Sequence, residues 1–144
     1  MVAPVTAKFG KFRVLLDPAG TGTYTAPCGF TSKSLNLSKD LSDILLPDCD
    51  NPDEVAWVGR DAISRSGAVS GEGVLAASSV ETWLDAYDDD DSVAVKIEIE
   101  FTTKTITWTG RFHIESFEAS ASQGERCLAN VSLQSDGALV RTVS

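Results

Sequence analysis

The chain has 144 residues, 42% of them hydrophobic and 23% charged, too apolar for a disordered chain and enough for one domain of 1–144. A chain of this size buries about 70% of the surface its unfolded form exposes and needs no covalent staples. A formal charge of -9 argues against a protein that grips nucleic acid, since that affinity rests on cationic side chains meeting phosphates. Cys28, Cys49 and Cys127 are odd in number and far apart, and His113 is the single histidine, so neither a disulfide framework nor a zinc site is supported.

Met-Val-Ala-Pro-Val-Thr at the start lacks a basic segment followed by an apolar one, and no run approaches the ~20 apolar residues of a membrane span. A soluble protein made in the cytoplasm, without membrane contact, is expected. Lys11 to Leu16 predicts a short strand with Phe12, Val14 and Leu16 on one side, closed by the turn-forming run Asp17-Pro18-Ala19-Gly20-Thr21-Gly22. A second short strand takes in Tyr24 and Thr25. Lys33 to Leu37 alternates again, with Leu35 and Leu37 inward.

From about 38 to 60 the periodicity fades, and the segment predicts a long loop holding two prolines, five Asp and one Glu. It also carries Ile44, Leu45, Leu46, Val55, Trp57 and Val58, too much apolar surface for a solvated tether. Something should cover these six residues, either this domain or a neighbour, and an aromatic with aliphatic neighbours is the usual anchor of a contact between subunits.

Ile63 to Ala77 reads as a strand interrupted by Gly67, Gly71 and Gly73. Ser78-x-x-Glu81 has the form of a capping box, with Val80, Trp83, Leu84 and Tyr87 at i, i+3, i+4 and i+7, which predicts one amphipathic helix of about ten residues. Asp88 to Asp91 end it by setting negative charge against the negative end of the helix dipole.

The clearest signal lies between Val93 and Phe117. Val93, Val95, Ile97, Ile99 and Phe101 alternate with polar residues, as do Ile106, Trp108, Gly110, Phe112 and Ile114. A turn at Thr103 and Lys104 would set Phe101 opposite Ile106, Ile99 opposite Trp108, Val95 opposite Phe112 and Lys96 opposite Arg111. Ser122 to Glu125 then predicts a turn, Cys127, Ala129, Val131 and Leu133 an inward face, and Ser135-Asp136-Gly137 a turn into a terminal strand, Ala138 to Val143. Recurrent strands with one helix indicate a mainly β fold, a β-sandwich or partial barrel with a flanking α-helix.

No catalytic apparatus accompanies these elements. His113 sits mid-strand on the polar face, no serine lies in Gly-x-Ser-x-Gly, and a triad would depend on that one imidazole. Asp48, Asp50 and Asp53 begin like a calcium loop, but Asp53 stands where glycine is needed and Gly59 where glutamate is needed. Gly20-Thr21-Gly22 is turn-like and too short to cradle a phosphate. An enzyme is not expected, and no cofactor is implied. The polar sheet face, with Glu98, Glu100, Thr107 and Thr109, is the candidate working surface, and the face around Ser132 and Gln134 is the competing choice.

Several strings together resemble the major tail protein, or tail tube protein, of long-tailed phages and of phage-like gene transfer agents. They are Ser116-Phe117-Glu118-Ala119-Ser120-Ala121-Ser122-Gln123-Gly124-Glu125 leading into Val131 to Gly137, Thr107-Trp108-Thr109-Gly110, Ser70-Gly71-Glu72-Gly73 and Phe9-Gly10-Lys11-Phe12. The resemblance implies a sandwich with a flanking helix that assembles into hexameric rings, stacked into a virion tail tube that delivers DNA. It also implies contacts with copies of itself and with tape measure, tail terminator and distal tail proteins. The lumen would take Glu98, Glu100, Thr107 and Thr109, and an adjacent ring would cover the loop at 38–60. The alternative is a surface-protein β-sandwich that binds sugar or protein, with calcium at its acidic loops.

Overall fold

The computed structural model describes residues 2–18, 20–27 and 29–144. Cys28, and Ala19 of the expected Asp17–Gly22 turn, lie outside the described residues. A 3-10 turn at Phe9–Lys11 leads into β1 (Phe12–Asp17), followed by β2 (Phe30–Leu46), β3 (Trp57–Val74), α1 (Ala77–Asp88), β4 (Val93–Glu100), β5 (Thr105–Ser120) and β6 (Leu128–Val143). The strands form one antiparallel sheet in the order β1-β4-β5-β6-β3-β2. Among the described residues no ladder joins β1 to β2, so the sheet is mainly β with one helix and stays open, a partial barrel.

Two compact units are present, one comprising the chain up to Asn36 with Gly67–Ser144, the other Leu37–Ser66. In the first, one sheet face supplies the core: Leu16, Val95, Ile97, Phe112, Val131 and Leu133 are fully buried, with Val14, Val69, Val93 and Ile114 around them. The inward face read from alternation is thus the buried one, and burying it is the main favourable term in folding. Helix α1 adds Trp83 and Ala86 to that core.

Several expectations are corrected. The β4–β5 register is offset by two residues: Ile99 faces Ile106, Ile97 faces Trp108, Val95 faces Gly110 and Val93 faces Phe112. The Phe101 amide donates to the Lys104 carbonyl at 2.7 Å, so Phe101 to Lys104 is a four-residue turn and Phe101 leaves the ladder. A two-residue offset leaves every side chain on its own face, which is why alternation alone could not detect it. Lys96 accordingly sits opposite Thr109, and Arg111 opposite Ala94.

The helix starts at Ala77 with Ala76 at the N-cap, so Ser78 lies inside the first turn and makes no capping box. Its buried residues are Ser79, Trp83 and Ala86, while Leu84 and Tyr87 are exposed. The small side chains on either side of Trp83 let the helix approach the sheet closely, and the Phe30 ring meets the Trp83 ring edge-on at 5.4 Å and 88°.

Ser135 to Gly137 does not turn the chain. β6 runs through it, with a bulge where Thr109 pairs with Val140 and Arg111 with Asp136. Gly137 takes φ 89° there, a left-handed conformation that side chains with a Cβ resist. A second irregularity falls between Ile114 and Ser116. Cys127 precedes the strand and is exposed, as is Cys49. The Ser122 to Glu125 turn is present, closed by the Glu125 amide on the Ser122 carbonyl at 3.1 Å.

The loop expected at about 38–60 is largely strand. The second unit is a two-stranded ribbon built from residues 37–46 of β2 and 57–66 of β3, joined through 47–56. Ser38 and Ser66 hydroxyls meet at 2.9 Å, Ser64 Oγ donates to Asp40 at 3.0 Å and Arg60 Nε to Asp43 at 3.1 Å. Those cross-strand polar pairs align the two strands without the alternation that a one-sided core would impose, and Leu37, expected inward, is exposed.

Candidate assembly surface

The six apolar residues singled out in the 38–60 segment all belong to the ribbon, and all are exposed. Trp57 is 84% exposed and Val55 92%, with Leu45, Leu46, Val58 and Ile44 between 42% and 72%. Leu37, Leu41 and Ile63 join them, a further set that reading the segment as a loop could not order. The residues do not make a single patch. Ile44 and Leu46 both crowd Gly59, where a Cβ would lie 2.8 Å from Leu46 Cδ1, so these two share a face, and Leu45 between them points to the other. A ribbon apolar on both faces has no core of its own.

The polar sheet face is built by the partners of the core row. Glu98 faces Thr107 and Glu100 faces Thr105, while on β1 Arg13 stands beside Glu98. Arg13 Nη2 donates to Glu98 and to Glu100, each at 3.0 Å, and Lys11 approaches Glu100 at 3.9 Å. The hydrogen bond to Glu98 and that to Glu100 hold the Arg13 guanidinium above its ordinary pKa, against the opposing effect of its partial burial. The two glutamates are therefore charge-compensated, which no spacing in the sequence signalled because Arg13 is 85 residues from Glu98.

Thr109 pairs with Val140, and beyond the bulge Arg111 pairs with Asp136 and His113 with Gln134. Glu115 accepts hydrogen bonds from Gln134 Nε2 at 2.8 Å and from Ser132 Oγ at 3.4 Å. The face around Ser132 and Gln134 is thus the same sheet face as that of Glu98 and Thr107, and the two choices merge. Positive groups on it are each engaged: Lys96 lies 5.1 Å from the Tyr24 ring centroid, and Arg111 donates to Ser92 Oγ at 2.8 Å and to the Ser92 carbonyl. His113 Nε2 stands 3.5 Å from Asp136, both half exposed. Asp48 accepts from the Asp50 amide at 2.9 Å and Asp89 from the Asp91 amide at 3.0 Å, local turns within each acidic run.

Residues 7–141 match the model of the family described as phage tail tube protein. The chain belongs to the phage tail tube protein family. That family is one of structural tail proteins.

Solved structures show the same fold. The tail of an empty gene transfer agent particle, determined with C6 symmetry, superposes with a TM-score of 0.77 at 20% identity, covering 95% of this chain and 99% of that one. The SPP1 tail tube gives 0.69 at 15% identity, over 96% and 80%. The sheath–tube complex of the extracellular contractile injection system PVC gives 0.59 at 13% identity, over 96% and 93%. No curated protein matches the chain. The β-sandwich of a surface protein, the alternative drawn from the acidic loops, gives way to the family match. Among the described residues no helix is long and apolar enough to cross a membrane.

Proposed function

We propose that this tail tube protein closes into hexameric rings that stack into a hollow tail tube, through which DNA passes into a bacterial cell. Membership in the tail tube family carries the reading, and the C6 symmetry of a tail with the same fold supports the ring number. The exposed apolar ribbon at Leu37–Ser66 supports contact between copies, with Ile44, Leu45, Leu46, Val55, Trp57 and Val58 buried on assembly. The sheet face with Glu98, Glu100, Thr107 and Thr109 lines the lumen. Its cations are engaged by carboxylates, a ring or a backbone carbonyl, so a polyanion finds few free charges to hold it. Subunits are assembled in the bacterial cytoplasm, and tape measure, terminator and distal tail proteins meet the finished tube as part of a virion or gene transfer agent particle.

Size-exclusion chromatography with light scattering, followed by negative-stain microscopy, tests the proposal. Six-fold rings or tubes are expected as concentration rises. A monodisperse monomer at high concentration would overturn it.

A further inference from the structure

β1 and β2 are the two border strands of the open sheet, and their borders differ. An antiparallel ladder alternates the direction of its backbone groups, so Leu16, Val14 and Phe12 form the row of β1 that points away from β4. The Leu16 amide donates to the Thr25 carbonyl and the Thr25 amide to the Leu16 carbonyl, both at 2.9 Å. At the other end the Phe12 amide donates to the Phe9 carbonyl, and Lys33 Nζ donates to the Phe12 carbonyl at 2.9 Å. Lys33 reaches there from β2 and lies 4.6 Å from the Phe9 ring centroid. Of this row, the described contacts leave Val14 alone without a bonded partner.

Three of these four caps are backbone groups fixed by local folding, whereas the fourth is a single amine on a flexible stem. Unpaired strand borders invite addition of another strand, and lysines placed along them are one way in which proteins suppress it. We propose that Lys33 is a removable guard: in the free subunit its ammonium occupies the Phe12 carbonyl and delays addition of a second copy's strand to β1, and the incoming strand displaces it during assembly. The inference rests on the tube-forming function above and adds a control over when the border opens.

Placing the ammonium there is a trade of solvation for a charge-assisted bond, and the bond is what the guard contributes. Its loss raises the population of subunits with a free Phe12 carbonyl about tenfold, and the rate of nucleation with it. The experiment follows tube formation by light scattering in wild type, Lys33→Met and Lys33→Arg, each first shown by circular dichroism to be folded. Lys33→Met is expected to shorten the lag about tenfold and Lys33→Arg, which keeps a donor, to leave it near the wild-type value. Lys33→Ala, which also removes the amine on the Phe12 carbonyl, is expected to shorten the lag as well and reads the same border if Lys33→Met misfolds. Wild-type tubes together with folded Lys33→Met or Lys33→Ala subunits that nucleate no faster would overturn the guard alone. Absence of tubes from wild type would overturn the tube-forming function instead.

Discussion

Replacing Trp57 by alanine separates assembly from folding. A tryptophan has up to about 250 Å² of surface to bury, and with 84% of Trp57 exposed the free subunit hides only about 40 Å² of it, worth at most ~1 kcal/mol. Covering the remaining ~200 Å² between subunits is worth up to about 5 kcal/mol by area, and aromatic anchors of interfaces cost about 2–4 kcal/mol on truncation. Trp57→Ala should therefore change monomer stability by less than about 1 kcal/mol while raising the concentration needed for tube formation by roughly 30-fold or more. Urea denaturation of the monomer gives the first quantity, and pelleting of tubes over a dilution series gives the second. A monomer destabilised by several kcal/mol, with an unchanged assembly threshold, would refute the assignment of Trp57 to an interface.

Phe112→Ala should do the reverse, since Phe112 is fully buried: a loss of about 3–5 kcal/mol in urea denaturation is expected. Arg13→Gln leaves Glu98 and Glu100 with Lys11 as the nearby cation and should lower stability by no more than about 1 kcal/mol, an effect that shrinks in 1 M salt, as thermal melts at two ionic strengths would reveal. Reversing Glu98 and Glu100 to lysine would gather four cations, Lys11 and Arg13 among them, so Arg13→Glu should accompany it. The triple reversal should preserve tubes but slow DNA passage, and unchanged genome delivery would count against the lumen placement. Cys49 and Cys127 are exposed, so both should react with a maleimide in the folded monomer, and Cys49 should lose that reactivity in tubes if the ribbon is covered there.

What the letters could disclose follows from where each signal originates. Alternation through β4, β5 and the first half of β6 marks the side that becomes the core, because one face of those strands is buried and the other is not. The same alternation repeats every two residues, so it cannot choose between registers two apart, and the four residues at Phe101 to Lys104 decide that instead. The ribbon escaped recognition as strand because neither of its faces is buried, so nothing selects a period of two, and Ser38, Asp40, Ser64 and Ser66 pair across it in place of apolar residues. The helix forms in the expected segment but with its buried face rotated, since the apolar count favours Val80, Leu84 and Tyr87 while close approach favours Ser79 and Ala86. Of the candidate site, the exposed ribbon residues were identifiable by their composition alone. Arg13, held to Glu98 and Glu100 from a strand far earlier in the chain, was not.

The two dislocations in the β5–β6 ladder have a geometric consequence. Strands of 16 residues laid straight would extend about 54 Å. Extra residues on β6 near Gly137 and on β5 near Glu115 make the hairpin coil at fixed places, so its curvature is encoded within one copy before any other copy is met. Deleting Glu115 would straighten that stretch while leaving Ser116 opposite Ser132 and Phe117 opposite Val131. A chain so altered would be unable to bend to the same radius, whatever the quality of its contacts elsewhere.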